Sequence, residues 1–136
     1  GGRGPASAGA PAVAAVAAGQ DSEARRLVAQ ARKIYDEGDE LDRENLLLAE
    51  DLVKRALALD ASEPSAWVLA AQLSYWLVWH SSDPSRERRT EMIRQAARAR
   101  ALAPDSVEAQ LVQANARIAM AYESFGSAGN RQDLID

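Results

Sequence analysis

The side chains that could do chemistry in this chain are few, and their spacing suits catalysis poorly. His80 is the single histidine among 136 residues, and there is no cysteine. One imidazole without thiolates makes no metal set of familiar spacing. A histidine at a helix end meets the last carbonyls rather than a substrate. No glycine-rich phosphate loop, serine nucleophile elbow or deaminase signature occurs. The expectation is a non-enzyme with no catalytic residue, no metal ligand and no cofactor.

The charged and aromatic clusters read as surfaces. Asp36, Glu37, Asp39, Glu40, Asp42 and Glu44 form an acidic run. Gly38 falls too early in it for a calcium loop, so it reads as a solvated loop with helix-start charge. Arg86, Arg88, Arg89, Arg94, Arg98 and Arg100 make a basic stretch in which Glu87 and Glu91 stand at pairing distance. That pattern is a solvated helix face, with a patch for an acidic partner as the other reading. No aromatic platform interleaves with these arginines, and the net charge is −4, so no nucleic acid is expected. Tyr75, Trp76 and Trp79 crowd one helix end. Packing accounts for them, and a small-ligand sensor pocket near Trp76 and Trp79 is the alternative.

Helices must position all of these groups. The apolar residues are mostly Ala and Leu with few β-branched ones, which favours helix over sheet. Residues 1–20 read as an Ala/Gly/Pro-rich linker or tag-derived segment; a short helix over Ala12–Ala18 is the sharper reading. The chain starts without Met and reads as an excised fragment. Pro11–Gly19 is apolar but too short to span a membrane and lacks the basic start of a signal peptide. Helix 1 is expected from Ser22 to about Glu37 with Asp21 as N-cap. Helix 2 runs from near Asp42 to Leu59, and helix 3 from Pro64 to Trp79. Helix 4 runs from Pro84 or Ser85 to Ala101. Helix 5 is entered through Pro104, Asp105 and Ser106 and ends near Phe125. The helical domain is therefore 21–125, with 126–136 a loop and the stub of a further helix. Nothing here names a cell compartment.

An internal echo organises these helices. Ala49, Val53, Ala56, Leu59, Ala61, Ala66 and Trp67 are followed 43 positions later by Met92, Ala96, Ala99, Leu102, Pro104, Ala109 and Gln110. Small or apolar residues recur in register, with a helix break at the same place. Such self-similarity marks stacked helical hairpins.

The residues Ala49-x3-Val53-x2-Ala56-x2-Leu59 and Pro64-x-Ala66-Trp67-x2-Ala70-Ala71-x3-Tyr75 resemble the tetratricopeptide repeat family over roughly residues 23–125. The departures are an interval of 43 against the family's 34, Ala70 where Leu is expected, and Gln110 where an aromatic is expected. The extra residues fall around Asp39–Arg43 and Trp79–Arg88. The resemblance implies an all-α, right-handed solenoid of antiparallel hairpins with five main helices. Small residues at Ala56, Ala71, Ala99 and Ala114 would let helix axes approach closely. Its style is similar to repeat regions of bacterial regulatory proteins, so the implied role is non-catalytic protein–protein interaction inside a larger protein.

Family ligands lie on the concave face. Carried over, that face is Val28, Arg32 and Tyr35; then Val68, Gln72 and Tyr75; then Leu111, Asn115 and Ile118. Each trio is spaced four then three, one stripe of a helix, suited to a peptide with apolar anchors. Asn115 matches one place of the family's carboxylate clamp, but Val28, Val68 and Leu111 stand where basic residues are wanted, so no such clamp is expected. The expected partner is a protein or peptide. The rival role is oligomerisation of the parent through helix 5, whose Leu111, Ile118, Met120 and Phe125 cover more than one side. A homodimer through that helix is the corresponding expectation.

Overall fold

The computed structural model describes the backbone of residues 4–38, 42–80 and 83–135, and the side chains of residues 11–38, 42–80 and 83–122. The chain is all-α: α1 (Gly4–Glu37), α2 (Arg43–Leu59), α3 (Pro64–His80), α4 (Arg86–Leu102) and α5 (Val107–Ile135). No strand occurs among the described residues.

The 43-residue echo is built into the backbone. α2 and α4 begin and end 43 positions apart. Their caps repeat too. Asp42 accepts the Asn45 amide at 2.8 Å, and Ser85 accepts the Arg88 amide at 3.1 Å. Each cap oxygen satisfies a first-turn N–H that has no helical partner. At the far ends the Asp60 amide donates to Ala56 O, and the Ala103 amide donates to Ala99 O. The turns that follow match: Glu63 N–H to Asp60 O, and Ser106 N–H to Ala103 O. Trp67 donates its indole N–H to Ala61 O at 2.7 Å. Gln110 donates its amide to Pro104 O at 3.2 Å. The replacement of Trp by Gln thus keeps the donor that pins the turn and discards the ring.

Packing follows chain order. α1 packs on α2, α3 on both, α4 on α3, and α5 on α3 and α4. Two apolar clusters result. The first joins Leu27 and Ala31 of α1, Leu46, Ala49, Val53 and Ala56 of α2, and Leu69, Leu73 and Leu77 of α3. The second joins Trp67, Val68 and Ala71 of α3, Met92, Ala96 and Ala99 of α4, and Ala109, Val112, Ala116 and Ala119 of α5. α3 contributes to both clusters, which is why it is apolar on nearly every side. Ala56, Ala71 and Ala99 are buried, as close helix approach requires. Ala114 is exposed, because no further described helix lies over that side of α5.

The helix ends differ from the sequence reading at two places. α1 begins at Gly4 rather than Ser22, so Asp21 lies inside the helix and caps nothing. The alanines behind Pro11 carry high helix propensity, and the packed turns after Asp21 supply the nucleus they extend. α5 runs on through Gly126 and Gly129 to Ile135 instead of ending near Phe125. Glycine costs a helix interior only about 1 kcal/mol, and no proline follows Pro104 to stop it. The Phe125 side chain and Asp39, Glu40, Leu41, Ser81 and Ser82 lie outside the described residues.

Candidate functional site

A groove opens where α1, α3 and α5 meet. Its central cavity, about 100 Å³, is walled by Tyr35 of α1 and by Gln72, Tyr75 and Trp76 of α3. Val112 and Asn115 of α5 close the other side, with Ala71 and Met92 in the floor. The floor residues belong to the second core cluster, so the cavity shape is fixed by core packing.

Side-chain bonds across helices hold the walls. Arg32 donates to Gln72 Oε1 at 2.8 Å, joining α1 to α3. Its guanidinium also lies 5.6 Å from the Tyr35 ring centre, a cation–π distance. Trp76 donates its indole N–H to the Tyr35 hydroxyl at 2.9 Å. That hydroxyl therefore accepts from Trp76 and keeps its own proton for a ligand. Likewise Gln72, accepting through Oε1, keeps its amide N–H pair for donation. A second recess of about 390 Å³ lies on the other side of Arg32, with Val68, Ser106 and Glu108 in its wall.

Six of the nine groove residues named from sequence take part in this lining: Arg32, Tyr35, Val68, Gln72, Tyr75 and Asn115. Val28 is buried in the first core cluster. Leu111 and Ile118 line neither recess and stand exposed on α5. They hold the places of Val68 and Tyr75 in the echo, but no described helix follows α5 to flank them. α5 reaches the groove instead through Glu108, Val112 and Asn115. Met120, named with Leu111 and Ile118 for the oligomer surface, is also exposed. Trp79 is outside the central cavity; its ring meets Tyr75 at 6.2 Å and Tyr122 at 5.5 Å. His80 lies 4.1 Å from the Trp76 ring, centre to centre.

On the other side of the molecule, α2 and α4 are tied by charge. Arg88 engages both Glu50 oxygens and donates to Asp83 at 3.0 Å. Burial alone would lower the Arg88 pKa, but the bonds to Glu50 and Asp83 outweigh it and hold the pKa above its usual value. The Ser85 hydroxyl, then Arg88, hold the Asp83 carboxyl below its usual value. Close by, Ser74 donates to Gln95 Oε1 at 2.7 Å in the buried α3–α4 contact. Arg94 pairs with Glu91 at 2.6 Å on the exposed face and lies 5.4 Å from the Trp67 ring centre. Sequence reasoning missed Glu50, Asp83, Ser74 and Gln95 as partners. Two signals were present: Glu50 stands beside the core position Ala49, and Ser74 interrupts the aliphatic and aromatic run Leu73–Trp79.

Among the described residues no helix is long and apolar enough to cross a membrane. Compared with known proteins, the chain matches no family model, no curated protein and no solved structure.

Proposed function

We propose that this chain is a non-catalytic interaction module of tetratricopeptide type, a right-handed array of hairpins that holds a peptide segment of a partner protein in the α1–α3–α5 groove. One observation carries the reading. Tyr35, Gln72, Tyr75 and Asn115, drawn from three helices, line one cavity. Its aromatic walls and free amide and hydroxyl donors suit a peptide carbonyl beside an apolar side chain. The size argues in the same direction. A cavity of about 100 Å³ takes a side chain, whereas small-molecule sites run to roughly 300–1,000 Å³. The helices are fixed by core packing before any ligand arrives, so the partner bears most of the ordering cost. The setting that fits is a larger regulatory protein, bacterial in style.

Peptide display against the immobilised chain tests the reading. Selected peptides should lose about 5- to 10-fold in affinity with Gln72→Ala and again with Asn115→Ala, one hydrogen bond each. A selection yielding only peptides indifferent to both substitutions overturns it. Exposed Leu111, Ile118 and Met120 on α5 favour a second reading, in which the chain also joins copies of itself.

A further inference from the structure

We propose that the first part of α1 from a second copy is the helix that covers the open face of α5. This rests on the reading that the chain joins copies of itself, and it names the surfaces that meet. On α3, Val68, Ala71 and Val78 are buried. Forty-three positions on, α5 carries Leu111, Ala114 and Ala121, all exposed, with Leu111 at 58% and its neighbour Ile118 at 50%. α3 is packed against α4, which reaches the core through Met92, Ala96 and Ala99. The covering helix of the preceding hairpin uses Ala49, Val53 and Ala56 in the same way. These covering helices share spacings of four and three and end on a small residue, and α2 adds the order small, medium, small.

α1 carries that pattern on a stretch that stands exposed among the described residues. Ala12, Val16 and Gly19 repeat the spacing and size order of Ala49, Val53 and Ala56. All of residues 11–20 are exposed, Val16 at 63% and Val13 at 70%. No charged residue occurs between Gly4 and Gln20, and a helix stretch without a polar face is one that packs against something. Gly19 lies inside the helix, yet a Cβ there would meet nothing within 4 Å. Its cost to the helix has no return within one chain, whereas Ala56 and Ala99, at the matching place, lie fully buried.

Among the described residues the contact does not form within one molecule: α1 is continuous from Gly4 to Glu37 and packs on α2 and α3, not on α5. It passes the α2–α3 turn where Asp21 lies beside Asp60. From there residues 4–20 continue the helix for about 25 Å at ~1.5 Å per residue. In the proposed contact this arm of one copy lies on the α5 face of another, head to tail.

Sedimentation velocity of full chains over a concentration series tests this. The chain should self-associate, while Val16→Glu and the double variant Leu111→Glu/Ile118→Glu should each sediment as monomers. All three positions are exposed, so at concentrations where the parent chain is monomeric the circular dichroism melts of the variants should match its melt. Mixed in equal amounts, the two variants should form a heterodimer, because one keeps the face and the other keeps the arm. Association that survives Val16→Glu overturns the arm and leaves self-association through α5 standing. No heterodimer at the highest concentration overturns the pairing of arm with face. A chain monomeric throughout overturns both.

Discussion

Ala71 and Ala114 are the same residue type at the same place in the 43-residue echo, yet the structure assigns them opposite tolerance to enlargement. Ala71 is 2% exposed, in the cluster shared with Met92 and Val112. Ala71 also floors the groove cavity, so leucine there must either push α4 or α5 outward, an overpacking that costs about 1–3 kcal/mol, or fill the cavity. At about 4 °C per kcal/mol for a domain of this size, Ala71→Leu should lower the melting temperature by roughly 4–12 °C. Ala114 is exposed on α5. Leucine there adds a good helix former on an open side, so Ala114→Leu should stay within about 0.5 kcal/mol of the parent. The assay is thermal and urea unfolding followed by circular dichroism, in the Val16→Glu background so that no second chain covers α5. If Ala114→Leu destabilised as much as Ala71→Leu, that side of α5 would be packed within the monomer and the echo would continue onto it. If both were neutral, leucine at 71 would be filling the groove cavity rather than a close helix contact, and peptide binding in the groove should then fall with Ala71→Leu.

Trp67→Phe should cost about 1 kcal/mol, because it removes a part-buried hydrogen bond to Ala61 O while keeping an aromatic ring. Gln110→Ala, which removes the matching bond in an exposed turn, should cost less; equal melting temperatures would break the equivalence of the two turns. Acid should weaken the fold through Asp83, Asp60 and Glu91. Bonds from Ser85 and Arg88, from Ser62, and from Arg94 respectively hold these carboxyls below their usual values. A carboxyl so depressed binds protons less readily folded than unfolded. Its contribution is therefore complete above the ordinary range near pH ~4 and is lost as pH falls through the folded value. Melting temperatures measured from pH 6 down to 3 should drop, and Asp83→Asn should shrink the drop; an unchanged pH slope in that variant would refute the role of Asp83.

How legible these features were depends on what encodes them. Caps, turns and buried small residues are local or periodic. Asp42, Ser85, Pro64 and the Ala56/Ala99 pair therefore mark hairpin limits in the sequence, and all lie where the periodicity puts them. The start of α1 and the end of α5 were not legible because the local preferences there are weak. Alanine after Pro11 and glycine at 126 are weak preferences that packing elsewhere does not override. Cross-helix bonds were illegible for a different reason. Arg32 to Gln72 and Trp76 to Tyr35 span 40 and 41 residues, and only the fold brings them together. Periodicity also misplaced the groove wall on α5. It carried the stripe of Val68, Gln72 and Tyr75 forward to Leu111, Asn115 and Ile118; Asn115 reaches the cavity, whereas Leu111 and Ile118 stand exposed because no described helix flanks them.

The charge cluster behind the groove decides how firmly the groove is held. Arg88 and Met92 are one turn apart on α4. Arg88 binds Glu50 on α2, and Met92 is part of the groove floor. The Glu50 and Arg88 side chains are only 10% and 16% exposed, so salt screens this pair poorly. Removing one partner of a fully buried pair costs about 3–5 kcal/mol. Asp83 remains for Arg88 and is itself one-third exposed, so Glu50→Ala should cost roughly 1–3 kcal/mol. Glu50→Gln keeps an acceptor and should cost less. Neither loss should change between low and high salt. The exposed pair of Glu23 with Arg26 offers the contrast, since solvent already screens it. Glu23→Ala should leave the urea midpoint where it was. If Glu50→Ala were equally silent, Arg88 would not anchor α4, and the position of Met92 would have to come from the α3–α4 contact alone, where Ser74 meets Gln95.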